Sequence, residues 1–380
     1  MAMFKPFNSR VLYRLCILAG FLLFVVAPNT PGQLIISEFR LRGPDGVNDE
    51  FIELYNGWGT DQTVNSQSPS QGYSVAGSNG SIRCIIPNGT VIPGGGHYLC
   101  VNSVAYSLGS YASGNSSYTA NIPENSGIAV FNNTLGGASF NLANRLDAVG
   151  STTEANTLYK EGAGYPAISS IDLQQTFYRK TNDPGGEPKD TNDNAADFAY
   201  ANTQGVNLGM GGNLGNPSPK NLSSPIQRNR SFLVFDAICQ TPCARVRSTT
   251  AVANGALGTI SLRRKITNNT GANVTRMRFR IVDLSTFGGP TSAADLRLLT
   301  SNDMVLNVID PGGGTTVVSV FGLTLDNPSG FGGGHNSSAS VGVVTLGTPI
   351  PPGSSIYVNF LLGVEKEGDP RFNFMIEVLP

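Results

Sequence analysis

The sequence predicts an all-β protein of two antiparallel β-sandwiches in tandem, and three observations carry that prediction. Apolar residues recur with period 2 in short runs: in the first, Ile35, Ser37, Phe39 and Leu41 fall on one side of a ribbon and Ile36, Glu38 and Arg40 on the other. Turns rich in Gly, Pro, Asn and Asp separate these runs, at the spacing of hairpin-linked strands rather than of strands and crossover helices. No stretch keeps a helical period long enough for a coiled coil. The 46 Gly and 23 Pro stay below the level of a low-complexity chain, so the turns punctuate a folded core.

A length of 380 residues allows two domains and a sizeable core. Residues 1–32 read as an export signal. Lys5, Arg10 and Arg14 precede the apolar stretch 15–27, which is too short to span a bilayer comfortably, and Thr30 and Gly32 offer small residues ahead of Gln33. Pro28 and Pro31 argue against an uncleaved anchor, and Cys16 has no small-residue lipobox before it. A secreted or cell-surface protein follows, with no stable membrane span once the leader is gone. The remaining chain carries 22 basic against 26 acidic side chains, a net of about −4 that is too mild to imply a nucleic-acid partner.

Taken in order, residues 34–56 form two extended segments around a Gly/Pro/Asp/Asn turn, with Glu50, Ile52 and Leu54 alternating with Phe51, Glu53 and Tyr55 in the second. Residues 86–101 (IPNGTVIPGGGHYLCV) and 159–162 (YKEG) read as middle strands. QTFYRK at 175–180 is an Arg-bearing strand, DTNDNAADF at 190–198 an Asp/Asn-rich turn closing on an Asp-Phe pair, and NPSPKN at 216–221 a Pro-Lys/Asn exit. This order, with the SE…DEFIELYN opening, resembles the lamin tail domain, an immunoglobulin-like sandwich of nuclear lamins and of many exported bacterial proteins. The resemblance covers residues 33–221 and implies a recognition or scaffolding role. It makes Glu38 and Glu53 members of a structural strand motif, with Arg40 or Arg179 as their expected charge partners. The rod that makes lamins form filaments is missing.

Two polar stretches, 102–125 and 150–170, lengthen the first domain beyond the usual sandwich and are either contact surfaces or tolerated insertions. Residues 222–231 read as a polar linker, and 232–380 as a second sandwich of no assigned family. Its clearest unit is a hairpin of 260–266 and 275–282 around the turn 267–273, followed by strands at 317–325, 341–346, 356–364 and 372–379. A Gly-rich loop at 331–335 is placed at one end.

Four cysteines follow the leader, and an even number in an exported chain reads as disulfides. Within-domain pairing, Cys84 with Cys100 and Cys239 with Cys243, is the simplest of the three possible connectivities. Metal or redox chemistry at Cys239 and Cys243 lacks a nearby His. Asp190, Asn192, Asp193, Asn194 and Asp197 offer oxygens for calcium, yet Ala195 and Ala201 stand where an EF-hand needs Gly and Glu, and such residues also cap their own turns. Arg276, Arg278 and Arg280 share one face of their strand, and Arg263 and Lys265 on the partner strand extend it into a candidate patch for a polyanion. The competing reading is a charged sheet face balanced by Glu365, Glu367 or Glu377.

Hydrolytic machinery is hard to assemble. His97 and His335 lie in different halves, and no G-x-S-x-G, H-E-x-x-H or P-loop occurs; GMGGNLG at 209–215 misses the spacing of a dinucleotide loop. Trp58 reads as cover for a core edge. The expectation is an exported extracellular binding or scaffolding protein, not an enzyme, recognising a protein or glycan. The alternative is a calcium-dependent or carboxylate-based hydrolase of surface polymers.

Overall fold

The computed structural model describes residues 34–182, 186–237, 244–284, 294–309, 313–327, 330–368 and 371–379. The leader and the Cys239/Cys243 pair lie outside them. Among the described residues strands dominate, and the one α-helical turn, Asn194–Asp197, is four residues long.

The first half contributes β1 (Leu34–Arg40), β2 (Phe51–Asn56), β3 (Gln62–Thr63), β4 (Gly72–Gly77), β5 (Ile82–Pro87), β6 (Val91–Ile92), β7 (His97–Asn102), β8 (Ser116–Tyr118), β9 (Ile128–Phe131), β10 (Arg145–Val149), β11 (Gln175–Arg179) and β12 (Phe198–Asn202). The second contributes β13 (Ile226–Gln227), β14 (Phe232–Asp236), β15 (Arg245–Ser248), β16 (Thr259–Asn268), β17 (Arg276–Leu284), β18 (Asp295–Leu299), β19 (Met304–Ile309), β20 (Thr315–Gly322), β21 (Thr324–Leu325), β22 (Ser338–Ser340), β23 (Ser355–Lys366) and β24 (Phe372–Leu379). They assemble as a six-stranded sheet β12-β11-β1-β2-β7-β8, a four-stranded sheet β10-β9-β4-β5, a five-stranded sheet β13-β24-β17-β22-β21, a seven-stranded sheet β14-β16-β23-β20-β19 with β15 and β18 attached, and a two-stranded β3-β6 pair. The pairing is antiparallel except for β7 with β8 and β20 with β23.

Each half has its own apolar core. In the first, Val75, Ile86, Ile128 and Val130 of the four-stranded sheet meet Ile36, Phe39, Ile52, Leu54 and Phe177 of the six-stranded one. Phe39 stacks on Phe177 with ring centroids 4.7 Å apart and tilts against Tyr165 at 5.6 Å. Burying such a ring contributes roughly 2–3 kcal/mol. In the second, Met277, Phe279, Ile281 and Ile376 of the five-stranded sheet meet Leu298, Val358, Phe360 and Leu362 of the seven-stranded one.

Every residue of β1 and β2 is buried, which a sandwich with one wet face does not give. The outer face of the six-stranded sheet is covered by the five-stranded sheet, so the sheets stack four deep and residues 33–380 form one compact unit. The expected linker is part of this unit. Ser224, Pro225 and Ile226 are buried, and β13 pairs with β24.

Three local expectations are corrected. A β-bulge between Ile36 and Glu38 shifts the phase of β1, so the core side is Leu34, Ile36, Phe39 and Leu41 rather than a set including Ile35 and Ser37. The run 159–162 begins in a 3-10 turn, Thr157–Tyr159, and does not form a strand, and 341–346 follows β22 as turns. The segments 260–266 and 275–282 do form strands, but β16 and β17 belong to different sheets, both turning apolar faces to the second core. Asn268 holds the corner by donating to the carbonyls of Ala272 and Ile350, each at 2.8 Å.

Cys84 and Cys100 are bonded, with Cα atoms 6.1 Å apart. They lie on β5 and β7, so the bridge links the two sheets of the first sandwich rather than neighbouring strands of one sheet. Closing a loop of this length stabilises by about 3 kcal/mol. Replacing both cysteines with Ala is expected to lower the urea-unfolding free energy of the chain by about that amount; an unchanged midpoint and slope would show that the bridge constrains nothing.

Candidate functional site

The faces of the six- and five-stranded sheets that turn toward each other carry the charges that sequence reading assigned to motifs. On β1 and β2, Glu38 and Glu53 sit directly opposite one another in register, and both are 1 % exposed. Neither takes Arg40 or Arg179 as partner. Arg40 bonds Asp49, and Arg179 is bidentate to Asp147 at 2.8 and 3.0 Å.

The two glutamates instead hold the segment 216–221, which runs buried between the sheets with no strand partner of its own over most of its length. Glu38 Oε1 accepts from the Ser218 N–H at 2.8 Å, the Thr176 hydroxyl at 2.8 Å and Asn336 Nδ2 at 3.0 Å. Glu53 accepts from the Lys220 N–H at 2.5 Å and the Ser37 hydroxyl at 2.6 Å, with Lys220 Nζ at 3.7 Å. A buried backbone amide left without an acceptor costs about 1–3 kcal/mol, and carboxylates are the strongest acceptors available.

On the facing sheet, Glu377 of β24 pairs across the strand with Arg278 (Nε to Oε2, 2.5 Å) and binds Arg280 (Nε to Oε1, 3.0 Å). Arg278 also donates to the Tyr111 hydroxyl at 3.1 Å, which lies 2.8 Å from the Ser218 hydroxyl and 3.0 Å from that of Ser338. The polar stretch 102–125 thus supplies a residue to the seam. Burial alone would raise the Glu377 carboxyl, but Arg278, Lys220 and Arg280 hold it well below the usual carboxylate range. Burial pushes Glu53 up to about 7 against the pull of Lys220, and burial keeps His97 well below its ordinary value.

The five-cation patch does not assemble. Arg278 and Arg280 are buried against Glu377, one of the acidic partners weighed for them, Arg276 is exposed, and Arg263 and Lys265 lie on β16 in the seven-stranded sheet. Like charges on adjacent strands repel, and the fold places the two sets on separate layers.

Both Gly-rich stretches meet at the seam. His335 N–H donates to the Leu214 carbonyl at 2.8 Å, and Asn216 N–H to the His335 carbonyl at 3.1 Å. A Cβ on Gly215 would lie 2.1 Å from the His335 oxygen, and one on Gly334 2.1 Å from the Leu214 oxygen. Glycine at these positions lets two backbones touch.

The Asp-rich turn serves itself. Asp193 caps the short helix by accepting from Ala195 N–H, Asp197 accepts from the Thr191 N–H and hydroxyl at 2.7 Å each, and Asn194 bridges the N–H groups of Gly150 and Glu161 and the Ala148 carbonyl. Asn192 takes a left-handed φ of 57°. Carboxylate oxygens of Asp147, Glu161 and Asp190 do approach one another, but the Arg179 guanidinium bonds Asp147 and lies 3.4 Å from both Asp190 and Asp197, supplying the positive charge an ion would bring. Asp147 and Glu161 were not singled out in the sequence; Glu161 belongs to the YKEG run, and nothing in its spacing marks it. Trp58 packs on the edge of the first core.

Where the seam opens, the sheets leave a cleft of about 620 Å³. Tyr178, Lys180 and Asn213 line it from the first half, and Arg280, Arg371 and Asn373 from the second, with Asp283, His335 and Phe374 between. Lys180, Arg371 and Asn373 are exposed, whereas Arg280 at the floor is 8 % exposed. His335 is held below its ordinary value by burial.

Comparison with protein-family models, curated proteins and solved structures finds no match.

Burial, reinforced by Asp147 and Asp190, lifts Glu161 to about 9 from an ordinary 4.5. A carboxyl raised on folding stabilises fully below 4.5, and that stability is lost as pH climbs toward the folded value. Glu161→Gln should therefore gain on the wild type between pH 5 and pH 8, on the order of 1–3 kcal/mol by denaturant titration. A constant gap across that range would contradict it.

Proposed function

We propose that the protein is an exported, surface-acting binding or scaffolding module and that its ligand is held in the cleft between the two sandwiches. The observation that carries this reading is the contrast between the closed seam and the open cleft. Ligand sites favour concave junctions of a few hundred cubic ångströms where several polar groups converge, and the cleft has that form.

The hydrolase alternative needs two accessible carboxylates or an activated hydroxyl. Glu38 and Glu53 are adjacent but buried, and their oxygens are committed to Ser218, Lys220, Thr176 and Asn336. Ser37 donates to Glu53, and His97 Nε2 lies 3.5 Å from the same oxygen. The acid thus stands between hydroxyl and imidazole, whereas a nucleophile needs the base beside its hydroxyl. The resemblance to lamin tail domains points the same way, since it implies recognition. For calcium, the Asp-rich turn's own hydrogen bonds and Arg179 favour a structural role.

No helix among the described residues is long and apolar enough to cross a membrane. Retention of purified chain 33–380 on washed cell-envelope material tests the proposal. Wild-type protein should be retained, and charge reversal at the cleft rim, Lys180→Glu with Arg371→Glu, should remove most of the retention while the fold, by circular dichroism, is kept. Absence of retention, or turnover of an envelope polymer abolished by Glu53→Gln, would refute it.

A further inference from the structure

We infer that the cleft between the sandwiches binds an acidic saccharide, a sugar unit bearing a carboxylate or sulfate; the inference rests on the binding role proposed above and adds the class of ligand. The floor supplies the first argument. Arg280 is anchored through Nε to Glu377 at 3.0 Å and through Nη1 to Asn336 Oδ1 at 3.1 Å, which fixes the guanidinium plane, while among the described residues its Nη2 has only the Met375 sulfur at 3.9 Å. A held guanidinium with donor capacity in hand is built to meet an anionic oxygen. Lys180 and Arg371 at the rim add positive charge, against Asp283 as the acidic side chain among the described residues of the lining.

The walls supply the second. Side-chain amides offer a donor and an acceptor in one plane, the pattern that neighbouring hydroxyls of a sugar require. Each cleft amide uses one end to fix itself. Asn213 donates to the Tyr200 carbonyl at 3.1 Å, Asn229 accepts from Ile376 N–H at 2.6 Å, and Asn373 Nδ2 lies 3.5 Å from Asp283 Oδ2. The volume accommodates about one or two sugar units.

The test is titration calorimetry of chain 33–380 with a galacturonic acid trimer, its methyl-esterified counterpart, a sulfated disaccharide and a Glu-rich hexapeptide. At least one acidic saccharide should bind at least tenfold more tightly than the neutral ester. Arg371→Gln combined with Asn373→Ala, both exposed positions, should weaken it roughly tenfold or more, the loss expected for charge-assisted contacts, with the melting temperature unchanged. Equal binding of acid and ester, preference for the peptide, affinity untouched by the variants, or no saccharide binding would each overturn the inference. Envelope retention that persists in any of those cases leaves the binding role standing and the ligand class wrong.

Discussion

Two buried carboxylates govern how this chain is put together. Glu38 and Glu53, opposed across β1 and β2, accept the backbone N–H groups of Ser218 and Lys220 and so fix the segment that joins the sandwiches inside the molecule. An unsatisfied amide there would cost as much as a sizeable part of a domain's net stability. The second sandwich answers with Asn336 on Glu38 and with Arg278 and Arg280 gathered by Glu377. Charge on one sheet is thereby met by charge and amide on the next, and the two sandwiches become one body.

This arrangement explains features that look unrelated along the chain. The NPSPKN exit goes with the SE…DEFIELYN opening because the backbone of one is the hydrogen-bond load of the other. The glycines of GMGGNLG and of the 331–335 loop clear the space in which the 214–216 and 334–336 backbones bond. The cleft is a consequence too: the sheets are locked by their charged centre and part toward the Lys180 and Arg371 end. Buried ion pairs are expensive to desolvate, and their retention here fits a role in setting the geometry of the layers more than in adding net stability.

The period-2 pattern and turn chemistry made the all-β class, most strands and the Cys84–Cys100 bridge legible. The bulge after Ile36 was hidden because it leaves an unbroken run of plausible strand residues, and only pairing with β2 shows the phase change. Glu38 and Glu53 read only as structural motif residues and Arg278 as part of a charged face, because alternation reports two faces without saying what covers the second. The split of β16 from β17 depends on contacts with β23 and β24, about a hundred residues away, which local spacing does not encode. The cleft draws Tyr178 and Arg280 from strands far apart in the chain and Arg371 from just before β24, so no motif announces it.

The most direct measurement is scanning calorimetry of the chain 33–380 and its Glu377→Gln variant. Sandwiches locked through a buried charged layer predict one cooperative transition in the wild type, with calorimetric and van't Hoff enthalpies about equal, and a lowered or divided transition in the variant. Two separate wild-type transitions, unmoved by the loss of the Glu377 charge, would contradict the account.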